Sequence, residues 1–240
     1  MSGHSKWSQI KRQKGAADVK RSATFSKLAN AIILSAKSGN DPSTNFSLRM
    51  AIEKARLENM PKENIERAIK RGSGESGEVV ISEATYEVIA PFAVAIIITA
   101  ATDNKNRTNS ELKNIVSRFG GKIASSGAVV YQFDKVGKII IDLKDQSKEE
   151  AELSIIDSGA LDFKELRSNI AIYTKPSELE QTKKKLEEQS FVIIEANLFY
   201  KAKNPINLDE EQKLKIEQFI ESLETLSEVT EIYTNLEENN

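Results

Sequence analysis

Hydrophobic residues recur at helical spacing through the first third of the chain. The first helix is predicted within Ala16–Lys37, with an apolar stripe at Phe25, Leu28, Ala29, Ile32 and Ala36. Asn45 is a typical capping residue for a second helix, whose stripe is Leu48, Ala51, Ile52 and Ala55. Pro61 suits the first position of a third helix, and Gly72 the position just past its end. We therefore predict a three-helix unit over residues 16–71.

The pattern changes to strand alternation after a Gly/Ser-rich linker at residues 72–79. Strands are predicted at residues 85–90 and 94–101, joined by a tight turn at Pro91. Thr108 with Glu111 three residues later reads as a capping box, which predicts the start of a helix. Another strand is predicted at Val129–Phe133.

The next segment, from residue 136 to 200, has β-α-β-β-α-β order, which is typical of ferredoxin-like domains. A final helix at Leu208–Leu226 and a strand at Val229–Thr234 would complete the earlier sheet in the same order. The predicted fold class is α+β, with a basic arm and three-helix domain at residues 1–75. A discontinuous α+β domain would cover residues 80–134 and 204–240, with a ferredoxin-like domain inserted at 135–203.

Charge is divided unevenly along this framework. Residues 1–74 contain 15 basic and 6 acidic side chains, whereas the remainder contains 19 basic and 30 acidic ones. The N-terminal part should therefore attract polyanions, and the acidic domains could contact a protein partner. A membrane surface fits less well than nucleic acid, because residues 1–15 offer only Trp7 and Ile10 as apolar anchors.

Candidate nucleic-acid-binding residues lie mainly in this N-terminal region. The cations that outnumber their acidic neighbours are Lys6, Lys11, Arg12, Lys14, Lys20, Arg21 and Lys27. Trp7 could stack on an unpaired base, or it could anchor the arm on the helical domain. Both interpretations of Trp7 remain open at this point.

A second candidate lies in the loop after the strand at residues 94–101. Lys105 and Arg107 could contact a phosphate at the start of the following helix, where anions are favoured. The loop residues Asp103, Asn104 and Asn106 could equally serve only as turn and cap residues.

Several kinds of chemistry find little support. The chain has no cysteine and one histidine, His4, so thiolate and multi-histidine sites within one chain are excluded. The glycines of GSGESG at residues 72–77 precede strands and follow a helix, the reverse of a dinucleotide site. After removal of Met1, Ser2-Gly3-His4 could wrap Cu(II) or Ni(II), although an exposed histidine is the simpler interpretation. We predict no enzymatic activity, no cofactor and no small-molecule substrate.

Specific motifs then narrow the interpretation to a family. The chain closely resembles the YebC/PmpR family at Gly3-His4-Ser5-Lys6-Trp7, Asp41-Pro42, Asn45, Leu48-Arg49, Asn59-Met60-Pro61, Asn64-Ile65, Ala68-Ile69, Arg71-Gly72, Tyr86-Glu87, Asp103-Asn104 and Asn106-Arg107-Thr108. The chain departs from the family at Val88–Ala93, where a glycine-rich turn is usual. The match extends from residue 3 to about residue 137, and the later half fits mainly by pattern.

The resemblance implies a three-domain, non-enzymatic protein of the bacterial cytoplasm that regulates gene expression by binding nucleic acid. Members of the family are described as DNA-binding probable transcriptional regulators, and others as ribosome-associated translational activators. A DNA-binding transcriptional regulator is therefore the expected function. A translation factor that binds ribosomal RNA is the alternative, since charge alone does not separate DNA from RNA.

Overall fold

In the described part of the chain, three helices precede the strands. The computed structural model describes residues 23–77, 79–143, 148–166 and 169–237. The helices α1 (residues 23–36), α2 (Phe46–Leu57) and α3 (Lys62–Gly72) agree with the three helices predicted from periodicity. Asn45 caps α2 as expected, because its Oδ1 accepts the backbone N–H of Leu48 at 3.0 Å. Its Nδ2 also donates to the carbonyl of Ser35 at 2.8 Å, which ties the cap to α1.

The helices enclose a common hydrophobic core. Its buried members are Leu28, Ile32, Ile33, Ala36, Leu48, Ile52, Ala55, Met60, Ile65, Ala68, Ile81 and Ala101. Gly72 is the last residue of α3 rather than a residue beyond it. A Cβ placed on Gly72 would lie 2.4 Å from the carbonyl oxygen of Ile33, so the end of α3 approaches the α1 backbone directly. The glycine is required by this close approach.

Two four-stranded sheets follow. The first has the order β3-β1-β2-β8, formed by β1 (Ser82–Ile89), β2 (Ala95–Thr102), β3 (Lys122–Ala124) and β8 (Val229–Thr234). Along the chain, helix α4 (Lys105–Arg118) lies between β2 and β3, and helix α7 (Glu210–Glu224) directly precedes β8. β1 pairs antiparallel with β3, with Glu87 opposite Ala124 and Ile89 opposite Lys122.

The second sheet has the order β5-β6-β4-β7 and is antiparallel throughout. Its elements are β4 (Phe133–Asp142), α5 (Lys148–Asp157), β5 (Asp162–Leu166), β6 (Asn169–Thr174), α6 (Leu179–Glu188) and β7 (Val192–Ala202). This order of elements agrees with the β-α-β-β-α-β prediction, and the sheets and helices together confirm the α+β class.

The first sheet differs from its predicted order. Residues Val130–Gln132 form a 3₁₀ turn rather than part of a strand, and the short strand β3 takes the expected place at the sheet. The order of this sheet's elements is therefore β-β-α-β-α-β. The physical reason is a contact that is distant in sequence: the Glu87 carboxylate accepts the backbone N–H groups of Val129 and Val130, so this segment does not pair as a strand.

By packing, the chain divides into two compact units. The first contains the residues up to Ala84 together with Thr99–Ile115 and Gln218–Glu231. The second contains Thr85–Ile98, Val116–Glu217 and the residues from Ile232 onward, and it buries a cluster of Ala95, Ile97, Val129, Phe133 and Tyr233. The division into three domains at residues 75–80, 134–135 and 203–204 stays a prediction. None of the helices in the described ranges combines the length and the apolar content that a transmembrane span requires.

Candidate nucleic-acid interface

Three of the ten predicted binding residues lie in the described part of the chain. These are Lys27 on α1 and Lys105 and Arg107 on α4, all of which belong to the first unit. The other seven, Lys6, Trp7, Lys11, Arg12, Lys14, Lys20 and Arg21, lie outside the described residues, as does the Ser2-Gly3-His4 segment. The geometry of the candidate interface is therefore described for residues 102–108 together with Ser227 and Glu228, which we call the Arg107 region.

Arg107 is held by two carboxylates, one close to it in the sequence and one far from it. Its Nη2 lies 2.7 Å from Oδ1 of Asp103, one turn earlier, and 3.1 Å from Oε1 of Glu228, just before β8. Hydrogen bonding to Asp103 and then to Glu228 raises the pKa of the guanidinium above its usual value, so it stays fully cationic. Within the described ranges, its Nε and Nη1 have no hydrogen-bond partner, and the side chain is 46% exposed. These N–H groups can therefore donate hydrogen bonds to an anion from solution.

The start of α4 is fixed by Asn104. Its Oδ1 accepts the backbone N–H groups of Asn106 and Arg107, each at 3.1 Å, as a capping residue does. The helix therefore begins at Lys105, and the predicted capping box of Thr108 and Glu111 is wrong. Thr108 is buried within the helix, where its Oγ1 donates to Oγ1 of Thr102 at 2.8 Å.

This cap gives the Lys105–Arg107 turn a defined position. Oγ1 of Thr102 also accepts the backbone N–H of Asn104 at 2.9 Å, so the end of β2 holds the capping residue. Both Lys105 and Arg107 lie in the exposed first turn of α4, where the helix dipole gives a partial positive charge. The two cations and the N-terminus of α4 together favour the binding of an anion at this position.

A chain of hydrogen bonds connects the turn before β8 with α1. Ser227 Oγ donates to Oε2 of Glu228 at 2.9 Å, and Asn30 Nδ2 donates to the carbonyl of Ser227 at 3.2 Å. Lys27 lies one turn before Asn30 on α1, so the two residues share a side of that helix. The same turn thus contacts both elements that carry the predicted cations.

Sequence reasoning missed the acidic and polar half of this arrangement. Glu228 is 121 residues from Arg107, and Ser227 is 197 residues from Asn30. Neither residue has a local motif, because its role depends on the return of the chain to the first sheet. The sequence signal that could have indicated these two residues is the Ser-Glu pair directly before the predicted strand at Val229.

Comparison with family models covers almost the whole chain. Residues 5–75 match the model described as the TACO1/YebC protein N-terminal domain. Residues 81–236 match the model described as the TACO1/YebC second and third domain. The residues of the Arg107 region fall within the second match, and Lys27 falls within the first.

Relatives of known sequence and structure extend over similar lengths. The chain is 45% identical to a probable transcriptional regulatory protein of Thermoanaerobacter pseudethanolicus, covering 99% of this chain and 97% of that one. It is 45% identical to a probable transcriptional regulatory protein of Thermotoga petrophila, covering 99% and 94%. The crystal structure of a conserved hypothetical protein from Aquifex aeolicus matches with a TM-score of 0.83 and 39% identity, covering 91% of this chain and 90% of that one.

Proposed function

This chain belongs to the TACO1/YebC family, and we propose that it is a nucleic-acid-binding regulator of gene expression. The observation that carries the proposal is the Arg107 region. An exposed guanidinium with unpaired donors lies in the first turn of a helix in the same unit as Lys27. The excess of 15 basic over 6 acidic residues in the first 74 positions supports the same ligand class.

Within this class, we propose DNA as the ligand and transcription as the regulated process. The names of the relatives from Thermoanaerobacter and Thermotoga support this choice. Lys27, Lys105 and Arg107 would contact phosphates, together with Lys6, Trp7, Lys11, Arg12, Lys14, Lys20 and Arg21 of the N-terminal segment. Contacts of this kind give affinity and position, so sequence preference would require base contacts or DNA shape.

The proposed role is binding without catalysis. The one histidine of the chain is His4, and there is no cysteine, so the chain has few of the usual nucleophile and base combinations. We place the activity in the cytoplasm, where the promoters and ribosomes of a bacterial cell both lie. The acidic remainder, with 30 acidic against 19 basic residues, would suit contact with a protein partner.

The alternative is a ribosome-associated translation factor that binds ribosomal RNA. The acidic remainder favours it, because these domains would avoid unproductive contacts with the surrounding RNA while the basic region binds. In that case Arg107 and the N-terminal cations would contact ribosomal RNA phosphates. The two functions therefore share residues and differ in target.

The deciding experiment is crosslinking of the full chain to nucleic acid in cells, followed by mapping of the recovered fragments. Enrichment of promoter fragments is expected, and recovery of ribosomal RNA alone would replace the transcriptional proposal by the translational one. In vitro, Arg107→Gln should weaken binding of a fluorescent 20-base-pair duplex at about 150 mM salt. Lys184→Gln, an exposed cation on α6, is the matched control. Equal binding by both variants and the wild type would remove Arg107 from the interface.

A further inference from the structure

Two turns of the second unit touch each other at one end of the first sheet. The β1–β2 turn contains Pro91–Ala93, and the α4–β3 turn contains Gly120 and Gly121. A Cβ placed on Gly120 would lie 3.8 Å from Cγ of Pro91, which is van der Waals contact. We call the residues Ile89–Ala93 and Arg118–Lys122 together the hairpin tip.

The backbone of the hairpin tip adopts a conformation that its residues disfavour. Phe92 and Ala93 have φ values of 61° and 60°, in the left-handed region that glycine occupies without cost. Glycine at both positions would form the same turn with less strain. Backbone strain of this kind is concentrated at functional sites, so a phenylalanine at this position indicates a use for its ring.

The Phe92 ring is available for such a use. Phe92 is 39% exposed, and Ile89, two residues before the turn, is 47% exposed. Ile89 lies directly opposite Lys122 in the β1–β3 pair, so their side chains emerge on the same face of the sheet. An exposed apolar surface and an exposed cation are therefore neighbours at the hairpin tip.

Within the two segments that contain the hairpin tip, the charged residues are all positive, although Glu111 and Asp134 border the second segment. Val88–Thr102 and Leu112–Phe133 contain no acidic residue, and their charged side chains are Lys113, Arg118 and Lys122. Glu87 precedes the first segment, but it is 6% exposed and its carboxylate binds three backbone N–H groups. Arg118 and Lys122 are exposed, in a protein whose net charge is −2. The hairpin tip therefore attracts anions.

We propose that the hairpin tip binds single-stranded nucleic acid, with the Phe92 ring stacked on an unpaired base and Arg118 and Lys122 contacting the flanking phosphates. An exposed aromatic residue and exposed cations on two contacting turns form the kind of arrangement that binds such ligands, since every base has a face for stacking. The proposal rests on the proposed function only in the class of ligand. Its residues are all in the second unit, and it shares none with the Arg107 region.

The test measures binding of the full chain to a fluorescent twelve-nucleotide uridine strand and to a duplex of equal length. Phe92→Gly keeps the backbone conformation and removes the ring. It should weaken binding of the single strand about 5- to 150-fold, which corresponds to the loss of one stacked base, and weaken duplex binding much less. Phe92→Tyr should restore single-strand affinity. The matched control is Leu153→Ser, which removes a side chain that is 66% exposed on α5.

Charge is tested separately by the double variant Arg118→Gln with Lys122→Gln. It should reduce the salt dependence of single-strand binding by about 1.4 in the slope of log K against log salt, at about 0.7 for each phosphate contact. In the wild type, a photo-crosslink from 4-thiouridine should fall on the peptide that contains Phe92. This last measurement needs no variant to fold.

The outcomes separate this inference from the proposed function. If the wild type binds and the Phe92→Gly variant binds the single strand equally well, the inference is overturned while the proposed function stands. Equal losses for single strand and duplex would likewise overturn base stacking. If the wild type binds neither ligand at any salt concentration, the proposed function itself fails.

Discussion

The carboxylate of Glu87 accepts the backbone N–H of Val129 at 2.5 Å, across 42 residues of sequence. The same carboxylate accepts the N–H groups of Gly127 at 2.6 Å and Val130 at 2.9 Å. Three donors from one loop thus converge on a side chain that is 6% exposed. Glu87 lies on β1, so this contact fixes the segment that leads from β3 into β4.

Replacement of Glu87 by glutamine should destabilise the fold. The amide offers one acceptor oxygen and brings two donors that face the same N–H groups, so charged hydrogen bonds are lost without replacement. We expect a loss of about 2–4 kcal/mol in the free energy of unfolding, measured by urea denaturation. Glu83→Gln, at an exposed position of the same strand, is the control and should change stability by less than about 0.5 kcal/mol. Equal stability of the two variants would contradict the role of Glu87.

The same carboxylate predicts a dependence of stability on pH. Burial raises the pKa of Glu87, but the three backbone N–H groups outweigh burial, and the pKa lies below its usual value of 4.5. The stabilisation is therefore complete above pH 4.5 and is lost as the pH falls through the lower pKa of the folded state. The difference in unfolding free energy between wild type and Glu87→Gln should shrink on acidification below this value. A constant difference down to about pH 2 would show that ionisation of Glu87 is not involved.

The elements that sequence predicted well are those fixed by neighbours. Asn45 caps α2 through Leu48, three residues away, and the stripes of the helical unit follow from a period of 3.6 residues. The second sheet likewise follows from regular alternation and short connections. Local chemistry was sufficient in each case.

The elements that sequence did not predict depend on distant partners or on competing local signals. Both Asn104 and Thr108 can cap a helix, and Thr102 decides between them because its hydroxyl binds Thr108 inside the first turn. The segment at residues 129–133 has strand character, but Glu87 binds its N–H groups. For the candidate interface, the cations Lys105 and Arg107 were predictable from charge, whereas Glu228 was not.

Relief of backbone strain should stabilise the β1–β2 turn. Ala93 has a φ of 60°, where an alanine costs about 1–2 kcal/mol relative to glycine. Glycine gains more freedom in the unfolded chain, so the net stabilisation by Ala93→Gly should be about 0.5–1 kcal/mol. Ala90→Gly is the control. Ala90 has a φ of −91°, which alanine adopts without strain, so this variant should lose about 0.5–1 kcal/mol in the free energy of unfolding. The stability of both variants is measured by thermal unfolding. A lower melting temperature for Ala93→Gly than for the wild type would contradict a strained backbone at Ala93.

A side chain at Gly72 should separate α3 from α1. Its Cβ would lie 2.4 Å from the carbonyl oxygen of Ile33 and 2.6 Å from Cβ of Ala36, so one helix must move. Alanine gains about 1 kcal/mol of helix propensity, but overpacking costs about 1–3 kcal/mol and a backbone contact is the unfavourable case. We expect a net loss of about 1–2 kcal/mol for Gly72→Ala in urea denaturation. Lys70→Ala, on the exposed face of α3, should be neutral, and a Gly72→Ala variant as stable as the control would exclude the close approach.

Removal of the carboxylate opposite Arg107 should strengthen nucleic-acid binding. In the wild type, Glu228 is 18% exposed and occupies Nη2 of Arg107 at 3.1 Å, so a phosphate must compete with it. Glu228→Gln removes one negative charge beside the guanidinium and leaves Asp103 to hold it. The affinity for duplex DNA should rise several-fold at low salt, and the gain should shrink as salt screens the charge.

A matched variant separates this local effect from net charge. Glu224→Gln, near the end of α7, makes the same change in charge at an exposed position that holds no ion pair within the described ranges. Arg107→Gln combined with Glu228→Gln should abolish the gain of the single Glu228 variant, because the donor released by that change is then missing. Fluorescence anisotropy over a series of salt concentrations measures all three variants. An equal gain for Glu224→Gln and Glu228→Gln would mean that Arg107 does not contact the ligand, and the interface would then have to be sought among the remaining cations of the first unit.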